Sequence, residues 1–216
     1  MIERRRERRG ISTFRSAYVR AGGAFYFVTL RNISDSGICL EGDVDVAVGD
    51  TIEYCFDSNG ERSGVVKWVE DGRFGVSAAS DEVPPDGLGA AYPPRSVRLP
   101  ITYTASLFVD GCSRTVELHN LSLRGACVAG MESLAPGQLV SLEIAGRSFE
   151  LATVRWARAG LAGIRFAEPV ETGLFRDLVR RLQAESRNAR ERGGQGMGEA
   201  HRAGDEREPG RKLATG

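Results

Sequence analysis

Hydrophobic and polar residues alternate along most of the chain, in short runs. In one of them, polar residues separate Val140, Leu142 and Ile144. Alternation with a period of two predicts β-strands that bury one face and expose the other. The runs predict strands at residues 12–19, 24–31, 37–41, 51–56, 63–69, 73–78, 101–109, 112–119, 125–129, 139–144, 148–157 and 161–166.

Glycine-containing dipeptides separate several of these runs. Such dipeptides favour tight two-residue turns, because glycine accepts positive φ and Asn or Asp tolerates it. They therefore predict β-hairpins and an antiparallel arrangement of the strands. The dipeptides are Gly22-Gly23, Asn59-Gly60, Asp71-Gly72 and Asp110-Gly111.

The second half of the chain repeats the first at a constant offset of 88 residues. Asn-x-Ser-x-x-Gly occurs at residues 32–37 and 120–125, which we call the first and second turn motifs, and Val-Lys/Arg-Trp begins at Val66 and Val154. Agreement at a single register, without a gap, indicates a tandem duplication. Six antiparallel strands per unit can close a barrel and protect its edges. The predicted fold class is all-β, with two tandem six-stranded antiparallel β-barrels, a C-terminal α-helix and a disordered tail.

The segments outside the two units differ in composition. Paired prolines at 84–85 and 93–94 predict an extended linker. Leu174, Leu178 and Leu182 recur at helical spacing, which predicts an amphipathic helix over residues 171–184. Packing of this helix on the second barrel is favoured over packing on a partner. The chain after this helix contains few apolar residues, which predicts that it is disordered. The predicted boundaries are 1–80 for the first domain, 81–94 for the linker, 95–184 for the second domain with its helix, and 185–216 for the disordered tail.

Composition and charge narrow the functional classes. Lys+Arg and Asp+Glu balance at 29 each, so the overall charge gives no reason to expect a nucleic-acid partner. No apolar run reaches the roughly 18–20 residues needed to span a bilayer. The N-terminus also lacks the apolar segment of a secretory signal. We therefore expect a cytoplasmic protein without a membrane span.

The sequence offers little for catalysis or metal binding. Its two histidines are His119 and His201, and neither unit pairs a nucleophile with a base. No carboxylate cluster and no glycine-rich phosphate loop is present. We therefore expect a protein that is not an enzyme and holds no metal. Without C-x-x-C pairs, we expect four buried structural thiols: Cys39, Cys55, Cys112 and Cys127.

An arginine cluster at residues 4–9 precedes the first turn motif by one predicted hairpin. The turn motif alone has a local explanation, because Asn and Ser bond backbone groups in tight turns and Gly accepts positive φ. A hairpin returns the chain close to its start, however, so Arg9 and Asn32 can meet at one edge of the barrel. Arginine binds phosphate bidentately and matches the O6/N7 edge of guanine, while Asn and Ser can bond the remaining base edges. The combination suits a ligand that joins phosphates to guanines.

This combination resembles the PilZ domain family, the bacterial receptors for cyclic di-GMP. The family signature is Arg-x-x-x-Arg followed some twenty-odd residues later by (Asp/Asn)-x-Ser-x-x-Gly, and the Val-Lys/Arg-Trp pattern with its later glycines is also typical. The resemblance covers about residues 3–80 and 94–184. It implies PilZ-like barrels that bind cyclic di-GMP without another cofactor. Both Arg4/Arg8 and Arg5/Arg9 fit the spacing, and we prefer the second pair. The implied ligand-binding residues of the first domain are Arg4, Arg5, Arg8, Arg9, Asn32, Ser34 and Gly37.

The second domain departs from the signature. Aligning Arg98 with Arg9 puts Pro94 where the first arginine should be. Loss of one charge-assisted contact would weaken binding by about 10–100-fold. A degenerate second site would consist of Arg95, Arg98, Asn120, Ser122 and Gly125.

The leading hypothesis is a cyclic di-GMP receptor that acts on an unidentified downstream protein effector. In it, ligand binding orders the arginine segment against the first barrel, and so selects one of two states. The alternative is a degenerate tandem PilZ adaptor that binds proteins and no nucleotide. Nucleic-acid binding through residues 4–9 is disfavoured, because no basic and aromatic face continues the cluster.

Overall fold

The protein folds as two β-barrels followed by one long helix. A computed structural model describes residues 11–34, 36–57, 60–78 and 96–199. The elements of the first barrel are β1 (Ile11–Ala21), β2 (Ala24–Ser34), β3 (Gly37–Glu41), β4 (Thr51–Cys55), β5 (Arg62–Glu70) and β6 (Arg73–Ala78). Those of the second are β7 (Leu99–Val109), β8 (Cys112–Ser122), β9 (Gly125–Ala129), β10 (Leu139–Ile144), β11 (Arg147–Arg158) and β12 (Leu161–Arg165), followed by α1 (Thr172–Glu199).

Both barrels are closed and have the same strand order. The order is β1-β2-β3-β6-β5-β4 in the first and β7-β8-β9-β12-β11-β10 in the second. Pairing of β1 with β4, and of β7 with β10, closes each sheet on itself. All these ladders are antiparallel. The predicted pair of six-stranded antiparallel barrels is therefore confirmed.

Two-residue turns with positive φ connect the first two strands of each barrel. The φ values are 55° and 76° at Gly22 and Gly23, and 49° and 75° at Asp110 and Gly111. Positive φ at both central residues is type I′ geometry, whose twist matches that of the flanking strands. These two predicted hairpins are confirmed, and so is the one at Asp71-Gly72, which joins β5 to β6 with φ values of 48° and 72°. Asn59, in another predicted turn, lies outside the described residues.

Apolar side chains from alternate strand positions fill each barrel. In the first barrel Leu30, Tyr54 and Phe74 are almost completely buried. In the second, Leu107 and Leu118 occupy the same kind of position. Complete burial of one such side chain stabilises the fold by about 1.5–3 kcal/mol. The alternating pattern in the sequence thus identifies the inward face of the strands.

Helix α1 packs on both barrels. Phe175, Leu178 and Leu182 are buried in the core of the second barrel, as their spacing predicts. Phe27 of the first barrel belongs to the same apolar cluster. Its ring centroid lies 4.7 Å from that of Phe175, with the rings edge to face. The helix therefore joins the two domains, a role that its spacing alone did not predict.

Helix α1 is also longer than its apolar spacing predicts. It continues to Glu199, so residues 185–199, which were predicted to be disordered, are helical. Among the side chains of this helix that the structure describes, Leu182 is the last buried apolar one. Residues 183–192 are mostly polar residues of good helix propensity, which extend a helix without an apolar face. The predicted linker at residues 81–94 and the remainder of the predicted tail lie outside the described residues.

The four cysteines are free thiols in different surroundings. Cys55 and Cys127 are buried and Cys39 is partly buried, but Cys112 is exposed. The prediction of buried thiols is therefore wrong for Cys112. This residue directly follows a hairpin turn, where β8 projects beyond its pairing with β9. Apolar strand patterns do not distinguish such a projecting end from the barrel wall.

Candidate functional site

The serine and glycine of each turn motif stabilise the turn itself. Ser34 Oγ donates to the carbonyl oxygen of Gly37 at 3.1 Å, and Ser122 Oγ donates to that of Gly125 at 3.0 Å. A Cβ at Gly37 would collide with the carbonyl oxygen of Val76 on β6. Glycine is thus required for β3 to approach β6. Two of the three motif positions have structural roles, in agreement with the local explanation.

The asparagine of each turn motif is free for another role. Neither Asn32 nor Asn120 uses its side chain in a hydrogen bond to a residue that the structure describes. A register shift lies between Leu30 and Asn32 on β2, and another between Leu118 and Asn120 on β8. Such β-bulges change the direction of nearby side chains. The bulges therefore leave each asparagine able to bond a ligand.

A tryptophan lies beside each turn motif on the outer face of the barrel. Trp68 pairs with Gly75, and Trp156 pairs with Gly163. Each indole covers its glycine so closely that a Cβ there would collide with the ring. Trp68 is 41% exposed, so its outer surface can stack on a base. The sequence repeat identified both tryptophans but did not assign them to a site.

A pocket on each barrel combines the turn motif with the tryptophan. The first pocket has a volume of about 700 Å³ and the second about 570 Å³, within the range typical of small-molecule sites. The first pocket is lined by residues that include Asn32, Ser34, Gly37, Lys67, Trp68 and Arg73. The second is lined by residues that include Asn120, Ser122, Arg124, Gly125, Arg155 and Trp156. The structure therefore brings the predicted Asn, Ser and Gly together in both domains.

The described linings of the two pockets differ in charge. Two cations and two anions line the first: Lys67, Arg73, Glu70 and Asp71. Arg73 also lies near Glu41, with 3.5 Å between Nε and Oε2. Among the residues that the structure describes, four arginines and no carboxylate line the second pocket. These are Arg98, Arg124, Arg155 and Arg165. Of the four, the sequence analysis had assigned only Arg98 to a site.

The N-terminal arginines directly precede the first pocket in sequence. β1 begins at Ile11, and Ser12 pairs with Asn32 of the first turn motif. The chain thus enters the first barrel opposite the predicted ligand-binding asparagine. Five of the predicted site residues lie outside the described residues: Arg4, Arg5, Arg8, Arg9 and Arg95.

The strand register changes the alignment of Arg98. The first two strands of each barrel pair in the same way at an offset of 88 residues. At this offset Val97, and not Arg98, corresponds to Arg9. Val97 is 4% exposed and belongs to the second core, whereas Arg98 lines the second pocket. The second domain therefore has an arginine near the signature position, displaced by one residue.

One cysteine borders each pocket. Burial raises the pKa of the Cys39 thiol, and it also raises that of Cys127. Nearby arginines, Arg73 and Arg98 respectively, partly oppose these increases. A thiol with a raised pKa is a weak nucleophile at neutral pH, so these two cysteines are suited to lining a pocket rather than to catalysis.

The described residues contain no group of three or more His, Cys, Asp and Glu side chains placed to hold a metal ion. In the same part of the chain, no helix is long and apolar enough to cross a membrane.

Several solved structures are similar to this chain. The PlzA protein of Borreliella burgdorferi, in complex with cyclic di-GMP, is 14% identical, with 80% of this chain and 92% of that chain covered and a TM-score of 0.34. The Bacillus subtilis inhibitor of motility MotI/DgrA is 14% identical over 83% and 98% of the two chains, with a TM-score of 0.33. YcgR of Escherichia coli, in complex with cyclic di-GMP, is 16% identical over 84% and 88%, with a TM-score of 0.31.

A comparison with curated proteins found no match. The family model of the PilZ domain matches residues 3–83 and again residues 94–184. Each match spans one barrel, and together they cover most of the sequence. The chain therefore belongs to the PilZ domain family and contains two PilZ domains in tandem.

Proposed function

We propose that this chain is a cytoplasmic receptor for cyclic di-GMP, which binds in the first pocket between the arginine cluster and the first turn motif. The pairing of Ser12 with Asn32 carries the proposal. Arg9 precedes Ser12 by three residues, a separation of at most about 11 Å. A ligand beside Asn32 is therefore within reach of the arginine cluster. Membership of the PilZ domain family supports the same ligand.

The proposed contacts follow from the chemistry of each side chain. Arg5 and Arg9, or Arg4 and Arg8 in the other register, bind the phosphates bidentately and stack on guanine. Asn32 bonds a guanine edge with its otherwise free amide. Ser34 and Gly37 hold the turn that presents Asn32. Trp68 adds a stacking surface on the other side of the pocket.

The proposed output is a change in the surface offered to a downstream protein. A ligand that binds only when the arginine segment contacts the barrel stabilises that state over others. The contact covers one part of the first barrel and changes which surfaces an effector can reach. The proposal contains no catalytic step.

The first pocket can be tested by fluorescence, because the sequence has two tryptophans and each borders a different pocket. In a Trp156→Phe background, Trp68 alone reports. We expect cyclic di-GMP to change the emission of Trp68. Arg9→Ala should weaken binding by about 10–100-fold, because a charge-assisted contact is lost. Asn32→Ala should weaken binding by about 2–10-fold, since a neutral hydrogen bond is lost. Arg114→Ala removes an equal charge outside both pockets and should bind normally.

Calorimetry of the intact protein provides the decisive control for this titration. If high micromolar cyclic di-GMP produced neither heat nor a change in Trp68 emission, the receptor proposal would be wrong. Equal affinities of Arg9→Ala, Asn32→Ala and Arg114→Ala would move the ligand away from the first pocket.

One observation favours the alternative, an adaptor without nucleotide. Three apolar side chains are exposed on the neighbouring strands β7, β10 and β11 of the second barrel. They are Phe108 (43% exposed), Leu139 (61%) and Leu151 (67%). The first barrel has polar residues 88 positions earlier: Arg20, Thr51 and Ser63. A local apolar patch of this kind is typical of protein contacts. Since Glu143 and Glu150 flank it, the expected partner has apolar and basic residues.

The two functions make different predictions for the same experiment. The adaptor requires that cyclic di-GMP produces neither heat nor a change in the emission of either tryptophan. The receptor requires heat of binding or a response from Trp68, and Arg9→Ala must weaken that binding.

A further inference from the structure

The second pocket concentrates positive charge that no described residue neutralises. Its arginines come from four separate places: Arg98 precedes β7, Arg124 lies between β8 and β9, Arg155 is on β11, and Arg165 ends β12. All four are exposed. None of them forms an ion pair with a residue that the structure describes.

Backbone hydrogen bonds fix two of these arginines beside each other. The N–H of Phe166, the residue after Arg165, donates to the carbonyl oxygen of Arg124 at 3.0 Å. Arg165 also pairs with Gly125 across the β9–β12 ladder. The N–H of Arg124 lies 3.4 Å from Ser122 Oγ. The second turn motif and the end of β12 therefore hold the pair Arg124 and Arg165 at the rim of the pocket.

Like charges around a concave surface repel one another and concentrate positive potential there. Such an arrangement is favourable when an anion occupies the cavity. Guanidinium groups bind phosphate oxygens in bidentate geometry, and several of them can surround one phosphate. The chemistry of the lining thus selects a phosphate-bearing ligand.

The described lining of the first pocket lacks this arrangement. At the offset of 88 residues, Arg124 and Arg165 correspond to serines at positions 36 and 77, and Arg155 corresponds to Lys67. The second domain therefore lacks a complete signature pair but has two arginines that the first domain does not have. These two arginines can take over the phosphate contact that the incomplete signature omits.

The stacking surface of the second pocket is also different. The guanidinium carbon of Arg158 lies 5.2 Å from the ring centroid of Trp156, in a cation–π contact. The corresponding neighbour of Trp68 is Glu70, which cannot form such a contact. A base could stack on Trp156 only by displacing Arg158. The second pocket is therefore adapted to phosphate and poorly adapted to a purine ring.

We propose that the second pocket is a separate binding site for phosphate-bearing anions. Arg98, Arg124, Arg155 and Arg165 recognise the phosphates, and the site has little selectivity for guanine. It operates without the N-terminal arginine cluster. The inference does not depend on the proposed function of the first pocket, because it follows from the lining of the second alone.

The test uses the full chain with Trp68→Phe, in which Trp156 is the remaining tryptophan. We expect cyclic di-GMP, cyclic di-AMP and inorganic pyrophosphate each to change the emission of Trp156. The affinities of the two dinucleotides should lie within about 10-fold of each other, since charge-assisted contacts to phosphate dominate. Arg124→Gln with Arg165→Gln should weaken all three ligands by about 10–100-fold or more. Calorimetry of the same proteins detects binding that leaves the emission unchanged.

Three results would overturn the inference. The first is that no ligand changes the Trp156 emission and calorimetry detects no second site. The second is that the double glutamine variant binds with unchanged affinity. The third is that cyclic di-GMP binds and the other two ligands do not. Arg114→Gln with Arg187→Gln is the charge-matched control, because it removes two charges from exposed arginines outside both pockets, and it should bind normally. Thermal unfolding checks that the double variant is folded, as expected for exposed side chains without ion pairs. The first pocket is measured in a different protein, the Trp156→Phe variant, through the emission of Trp68. Failure of one site is therefore distinguishable from failure of the other.

Discussion

Gln183 of α1 and Phe25 of β2 are joined by two hydrogen bonds in which a side-chain amide takes the place of a neighbouring strand. The N–H of Phe25 donates to Oε1 at 2.6 Å, and Nε2 donates to the carbonyl oxygen of Phe25 at 2.5 Å. β3 pairs with β2 only from Thr29 onward, so this part of β2 has an open edge toward the helix. The contact connects the helix of the second domain to the sheet of the first.

Gln183→Ala should therefore destabilise the protein. It removes both partners from part-buried backbone groups, and an unsatisfied group of this kind costs about 1–3 kcal/mol. Urea unfolding measures the loss, with Arg187→Ala as an exposed control on the same helix. Equal stability of the two variants would mean that water replaces the amide without cost.

The turn motif should separate into structural and ligand-binding positions. Ser34→Ala should lower the unfolding free energy by about 0.5–1.5 kcal/mol through loss of its bond to Gly37. Gly37→Ala should cost more, since its Cβ would collide with the Val76 carbonyl. Asn32→Ala should stay within about 0.5 kcal/mol of the unmodified protein, because its exposed side chain has no described partner.

Thermal unfolding of these three variants, together with cyclic di-GMP titration, checks the separation. A loss of stability in Asn32→Ala as large as that in Ser34→Ala would contradict it, and would assign Asn32 to the turn.

The thiols should differ in reactivity. Cys112 is exposed, whereas burial raises the pKa of Cys39, Cys55 and Cys127. Reaction with an aromatic disulfide reagent near pH 8 should show one fast thiol and three slow ones, because the thiolate is the reactive species. Cys112→Ser should abolish the fast phase. A fast phase that persists in this variant would show that one of the other three thiols is accessible.

The contact between Tyr103 and Glu185 should make stability depend on alkaline pH. Tyr103 donates to Glu185 Oε2 at 2.6 Å, and burial, followed by this bond, raises the pKa of Tyr103 from 10 to about 12. Its contribution is fully present below pH 10 and is lost as the pH rises through about 12, because ionisation is easier in the unfolded chain.

Denaturant unfolding across this alkaline range, compared with Tyr103→Phe, isolates the effect from the other tyrosines. The unmodified protein should lose more stability than the variant between pH 10 and 12. Parallel pH profiles would show that the phenol has the same pKa in both states.

Much of the fold could be predicted because its signals are local. The Gly22-Gly23 and Asp110-Gly111 turns depend on residues that accept positive φ. The Asn, Ser and Gly of each turn motif line one pocket, since they are neighbours in sequence. Leu182 is the last residue of the apolar repeat that predicts α1, but the helix continues to Glu199, because helix propensity without an apolar face leaves no periodic pattern.

The duplication, the twelve strands, the hairpin turns and the two turn motifs can all be predicted from the sequence. Each of these depends on residues that are close in sequence or on a repeated register. Which charged side chains meet depends instead on the three-dimensional packing of the strands. Arg124 and Arg155 are 31 positions apart in the sequence and line one pocket, because closure of the second barrel brings their strands together. The contact of α1 with Phe25 and Phe27 likewise depends on packing between the domains. The amino-acid sequence contains no local signal for such packing.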